Sequence, residues 1–120
     1  MLKRWALPIL LTYVVALTIG SLSQVSSVPD LGSSFDDKIY HFLAYAILTF
    51  LIFNFLRSTS LKAPLFSAAL VSVVYGIIIE VLQSVLTDFR TPDYLDVIAN
   101  TIGTVIMYIS VLFAGKGKLK

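Results

Sequence analysis

Tyr75-Gly76-Ile77-Ile78-Ile79-Glu80-Val81-Leu82-Gln83 places a carboxylate inside an apolar run, 65–86, that is long enough to cross a bilayer. Crossing takes about 20 apolar residues in a helix. A charged side chain at the centre of such a helix costs about 2.5–3.5 kcal/mol on insertion scales, so an acid there marks a candidate functional site with a partner to be found. Gly76, Glu80 and Gln83 recur at i, i+4 and i+7 and therefore share one helical face. The polar residues elsewhere are judged by whether they can reach that face.

The composition agrees with a membrane chain. Of the 120 residues, 58% are hydrophobic and 13% charged, and the mean hydropathy is +0.90. Soluble domains carry about 25% charged residues. The apolar segments are too many for a soluble core of this size, and the chain reads as one membrane domain over 1–120. With no cysteine, disulfides, thiolate metal sites and a thiol nucleophile are excluded. The pI near 9.0 does not point to nucleic acid, because the basic residues sit in short groups between apolar runs, which is a topology signal.

Four spans are expected, at about 5–23, 39–56, 65–86 and 94–113. Lys3 and Arg4 lead the first, Trp5 sits where an interfacial aromatic belongs, and Pro8 falls early enough for a helix to tolerate it. Ser21-Leu22-Ser23 imitates a signal-peptide cleavage site, but the apolar run is long for a signal sequence, so the first span is expected to stay. The Ser, Pro and Gly of 24–34 read as loop. Ser34-Phe35-Asp36-Asp37 and Thr91-Pro92-Asp93 both read as helix starts, with a capping hydroxyl and acids in the first turn. With both termini cytoplasmic, Lys3, Arg4, Arg57, Lys62, Lys116, Lys118 and Lys120 lie inside and only Lys38 and Arg90 outside. The positive-inside rule favours that orientation. It gathers Asp30, Asp36, Asp37, Asp88, Asp93 and Asp96 at the extracytoplasmic face, with Glu80 in the outer part of its helix.

Periodicity then lines up the site. Lys38, His41 and Tyr45 form a stripe on the second helix, and Asp93, Asp96, Asn100 and Gly103 one on the fourth. Polar residues at membrane depth face the bundle interior. The stripes are expected to meet Glu80 and Gln83 in one outward-opening pocket with Arg90 near its rim.

The residues that make up these stripes also resemble a known family. Asp37-Lys38-Ile39-Tyr40-His41-Phe42-Leu43-Ala44-Tyr45, then Glu80-Val81-Leu82-Gln83, then Arg90-Thr91-Pro92-Asp93-Tyr94-Leu95-Asp96-Val97-Ile98-Ala99-Asn100-Thr101-Ile102-Gly103 are similar to the VanZ-like family. The motifs DKxxHFxxY, ExxQ and RxxDxxDxxANxxG stand in the right order on a four-span plan. The resemblance implies a small multi-pass protein of the bacterial cytoplasmic membrane. The family's namesake is associated with resistance to the glycopeptide teicoplanin. No biochemical activity follows from the resemblance.

Two functions suit the candidate residues. In the first, Asp37, Lys38, His41, Tyr45, Glu80, Gln83, Arg90, Asp93, Asp96 and Asn100 bind a membrane lipid or a lipid-linked envelope precursor. The cations and the start of the second and fourth helices would take a phosphate or carboxylate. In the second, the chain is an enzyme in which His41, Glu80 and Asp96 perform acid-base chemistry on a lipid-linked phosphate or glycan. The absence of a recognisable activated nucleophile weighs against it. A structural reading stands beside each residue. His41, Gln83 and Asn100 can be interhelical hydrogen-bonding groups, Glu80 a packing ion pair, Tyr45 an interface aromatic, Asp37 and Asp93 first-turn acids, and Gly76 and Gly103 points of close helix approach. No paired-His spacing supports zinc, and neither a resident metal nor a cofactor is expected. The oligomeric state is left open.

Overall fold

The computed structural model describes residues 3–22, 36–86 and 94–115. They form four helices, α1 (Lys3–Leu22), α2 (Asp36–Leu56), α3 (Pro64–Leu86) and α4 (Tyr94–Ala114), with no strand among the described residues. The expected caps at Ser34 and Thr91, the candidate residues Arg90 and Asp93, and the side chain of Asp37 lie outside them. At 20 to 23 residues each, the helices are about 30–35 Å long, the thickness of a bilayer core. All four are apolar enough to span it. Their bounds fall within three residues of the expected spans.

α2 and α3 form the middle of the bundle. α1 packs against these two on one side and α4 on the other, and α1 and α4 do not touch among the described residues. The most extensive interface is between α2 and α4. These two run parallel, since Lys38 meets Asp96 and, a turn later, His41 meets Asn100. α3 is antiparallel to both, with Gly76 against Asn100 and Ser72 against Thr104. The starts of α2 and α4 and the ends of α1 and α3 therefore share one end of the bundle.

Gly103 explains how α4 comes so close to α2. A Cβ at this position would overlap the backbone carbonyl of Phe42, so only glycine lets the two backbones meet. Lipid tails are as apolar as leucine, and helix association in a bilayer relies on such close packing and on interhelical hydrogen bonds. The apolar core lies deeper in the bundle and includes Leu10, Leu48, Leu51, Ile52, Ala68 and Val111. Large apolar side chains such as Leu11, Val15, Ile19, Ile78, Val85, Ile102 and Phe113 face outward, as lipid-exposed residues do.

The α2–α3 connection is tight. Ser58 and Thr59 donate their hydroxyls to the carbonyls of Phe55 and Leu56, both at 2.6 Å, which satisfies acceptors that the end of α2 leaves open. Ala63 then takes a left-handed conformation (φ 53°) and its carbonyl accepts from Ser67 N, so that Pro64 begins α3 at the first helical position.

Candidate functional site

The polar end of the bundle carries an ion-pair network between α2 and α4. Lys38 Nζ donates to Asp96 Oδ1 at 2.7 Å. The second carboxylate oxygen, Oδ2, lies 3.6 Å from His41 Nε2. The other ring nitrogen of His41, Nδ1, is 2.9 Å from Asn100 Oδ1. Asp96 is in the first turn of α4, where the helix dipole favours negative charge. Its side chain is only 7% exposed, whereas that of Lys38 is 24% exposed, so the lysine keeps its ammonium near the wet end while its stem lies on the bundle. Parallel α2 and α4 make this possible, because the i, i+3 step from Lys38 to His41 matches the i, i+4 step from Asp96 to Asn100.

α3 supplies the third stripe. Gly76 lies directly against Tyr45 and Asn100, since a Cβ there would come within 3.1 Å of Tyr45 Cε2 and of Asn100 Nδ2. Glu80 is buried one turn further toward the polar end, at the register of Asp96 and His41. Gln83 is buried as well, but its amide nitrogen donates to the Ser21 carbonyl at 2.8 Å. That carbonyl belongs to the last turn of α1, where backbone acceptors lack helical partners. So Gln83 ties α3 to the end of α1, a contact that the expected convergence on α2 and α4 did not include. Tyr45, left open as site hydroxyl or interface aromatic, is 2% exposed and packs beside Tyr75 with ring centroids 6.0 Å apart.

A second polar layer lies one turn deeper and was not among the expected residues. Thr49, Ser72 and Thr104, one from each of α2, α3 and α4, are fully buried. Thr104 Oγ1 is 3.0 Å from Ser72 Oγ and 3.1 Å from Thr49 Oγ1, and the Thr49 hydroxyl also reaches the Tyr45 carbonyl at 2.8 Å. The signal was present: each residue continues its stripe by four, Thr49 from Tyr45, Ser72 from Gly76 and Thr104 from Asn100. On the α1 side, Tyr13 donates to the Ala44 carbonyl at 2.6 Å, and Thr18 pairs with the Tyr75 hydroxyl at 2.5 Å.

Of the expected site residues, the structure joins Lys38, His41, Asp96 and Asn100 directly and places Tyr45 and Glu80 within one turn of them. It turns the amide of Gln83 toward α1. No group of three or more His, Cys, Asp or Glu side chains is arranged for a metal ion among the described residues.

The described motif residues thus occupy one end of three facing helices, and comparison with known families gives a match of the same extent. The model of the VanZ/LLP1 family matches residues 7–115, nearly the whole chain. The chain belongs to the VanZ/LLP1 family. Searches of curated proteins and of solved structures each found no significant match. In this VanZ/LLP1 chain the first motif supplies Lys38, His41 and Tyr45 to α2. The second supplies Glu80 and Gln83 to α3, and the third Asp96, Asn100 and Gly103 to α4. The last glycine of the third motif is a packing residue, whereas the described charged residues, Lys38, Glu80 and Asp96, collect at the polar end.

Proposed function

We propose that the polar end of this VanZ/LLP1 protein faces the extracytoplasmic side of a bacterial cytoplasmic membrane and binds the head group of an envelope lipid or lipid-linked precursor. The observation that supports this most is the Lys38–Asp96 pair with His41 and Asn100 against it. Helix packing alone does not call for charge here. Replacing a buried ion pair by apolar residues of similar volume is often neutral or stabilising. Lys38 sits at the partly exposed end of the network, and the parallel helices point both positive dipole ends the same way, which suits an anionic head group. With Arg90 it would hold phosphate or carboxylate oxygens, while Glu80 and Asp96 would take hydroxyl or amine groups. A protein of this kind would alter how a cell-wall precursor, or a lipid-bearing glycopeptide such as teicoplanin, behaves at the outer leaflet.

The test is the lipid that comes with the gently purified protein. One head group should be enriched over the membrane average, and Arg90→Ala should remove that enrichment without unfolding the protein. Equal recovery of all lipids by both proteins would sink the proposal.

The Asp96–His41 approach favours one second reading, a membrane enzyme in which the carboxylate orients the imidazole for acid-base work. In that case purified protein should turn over polyprenyl-linked phosphates or glycans, and His41→Ala and Glu80→Gln should each abolish the product. Retained lipid with no product would leave the binding role alone.

A further inference from the structure

The end of the bundle opposite the polar site is built from the starts of α1 and α3 and the ends of α2 and α4. Its charge has one sign. The chain has seven aspartates and glutamates, and none falls in 1–29, 38–79 or 97–120, the stretches that make up this end. Arg4, Arg57 and Lys62 are all exposed here.

Arg57 is held in place from two sides. Its Nη2 donates to Asn54 Oδ1 at 3.1 Å, and its guanidinium carbon lies over the Phe53 ring, 5.6 Å from the centroid. Asn54 is 4% exposed and Phe53 7%, so packing fixes both supports. Helix capping does not account for this arrangement. Arginines near a helix end often donate to its last carbonyls. Here the Phe53 carbonyl accepts from the Arg57 amide, and those of Phe55 and Leu56 accept from the amides and hydroxyls of Ser58 and Thr59. A guanidinium carries five N–H donors in a rigid fork that fits a phosphate or carboxylate. Among the described residues Asn54 engages Nη2 alone, and Arg57 meets no acid.

The depth of the guanidinium identifies the anion that fits it. Arg57 follows directly on the apolar span 38–56, and Trp5 and Phe66 stand exposed at the same end, as aromatics do at a membrane surface. Lipid phosphates lie at that level. A zwitterionic head group would bring an ammonium with its phosphate, and this end offers no aspartate or glutamate to receive it. A head group of net negative charge brings no such cation.

We propose that Arg57, set by Asn54 and Phe53, binds the phosphate of an anionic phospholipid, with Lys62 of the same turn adding general attraction rather than a fixed contact. This contact is independent of the head-group reading above and lies in the other leaflet.

The test offers full-length protein equal amounts of phosphatidylglycerol and phosphatidylethanolamine with the same acyl chains and counts the retained lipid by native mass spectrometry. Wild type should prefer phosphatidylglycerol, and Arg57→Gln should lower that preference about tenfold, as loss of hydrogen bonds to a charged group does. Arg57→Lys keeps the charge but not the fork and should recover only part of it. Lys62→Gln should cost less than Arg57→Gln. Diffuse attraction of basic residues to an anionic surface treats each cation alike. Equal losses in Arg57→Gln and Lys62→Gln, or full recovery in Arg57→Lys, would therefore overturn the proposal. So would an unchanged preference in Arg57→Gln, or a lower melting midpoint in that variant with the preference intact, which assigns Arg57 to packing. The loss on Arg57→Gln should be the same in an Arg90→Ala background, since distant sites act additively. If it vanishes there, the counted lipid sits at the polar end and the contact at Arg57 falls.

Discussion

Gly103 and Gly20 are both helical glycines, and their surroundings predict opposite outcomes for the same substitution. At Gly103 an added methyl meets the Phe42 carbonyl, a backbone group that cannot swing aside, so α2 and α4 must separate. Overpacking of this kind costs about 1–3 kcal/mol. At Gly20 nothing lies within 4 Å of the added carbon. There the helix gains propensity, and stability should stay within about 0.5 kcal/mol of wild type or rise slightly. Thermal unfolding of Gly103→Ala and Gly20→Ala in the same detergent tests this. Equal midpoints would mean that the α2–α4 contact is looser than described. From the sequence, Gly103 is placed on the α4 stripe by its spacing from Asn100. That its neighbour is the backbone of Phe42 follows only from the parallel pairing of α2 with α4, which no spacing within one helix encodes. The same limit applies to Lys38, His41, Asp96 and Asn100. Periodicity orders each set along its own helix, and the pairing across helices becomes visible only with the register.

At the scale of the helix, α1 is held differently from the other three. Its apolar surface is largely exposed, and among the described residues its backbone lies close to α2 and α3 alone. Hydrogen bonds pin it among the described residues: Tyr13 to Ala44, Thr18 to Tyr75 and Gln83 to the Ser21 carbonyl. Such bonds between membrane helices are worth about 0.6 kcal/mol on average and at most about 1.7. Gln83→Leu should therefore lower stability by about 1 kcal/mol and loosen one element only. Hydrogen exchange should quicken in the last turn of α1 and stay unchanged in the α2–α4 pair. Uniform quickening across all four helices would instead place Gln83 in the central network. The hydrogen bond from Gln83 to the end of α1 is not legible in the sequence, for a definable reason. Its partner is a main-chain carbonyl at a helix end, and every helix end offers such acceptors whatever its side chains are. The Thr49, Ser72 and Thr104 layer was missed for the converse reason. Hydroxyl residues are ordinary in membrane helices, and each one alone carries little signal, so only the continuation of three stripes together marks the layer.

For the molecule as a whole, the four-span plan was legible because each apolar run matches a bilayer in length and the breaks between runs are short and polar. The alternating helices put the starts of α2 and α4 at one end, but packing cannot say which side of the membrane that end faces. Charge can. Seven of the nine basic residues, Lys3, Arg4, Arg57, Lys62, Lys116, Lys118 and Lys120, lie before the first span, between the second and third, or after the fourth. Keeping such residues on the cytoplasmic side sets the orientation of short-looped membrane chains. The absence of cysteine makes this directly testable, because any introduced thiol is the only one present. In intact cells a membrane-impermeant maleimide should label Ser26→Cys, between the first and second spans. It should reach Thr59→Cys and Gly115→Cys only after the cells are permeabilised. The reverse pattern would turn Lys38, His41 and Asp96 toward the cytoplasm. The bundle and its ion pairs would be unchanged by that result, but the head group they meet would belong to the inner leaflet, and a direct encounter with an extracellular glycopeptide would be excluded.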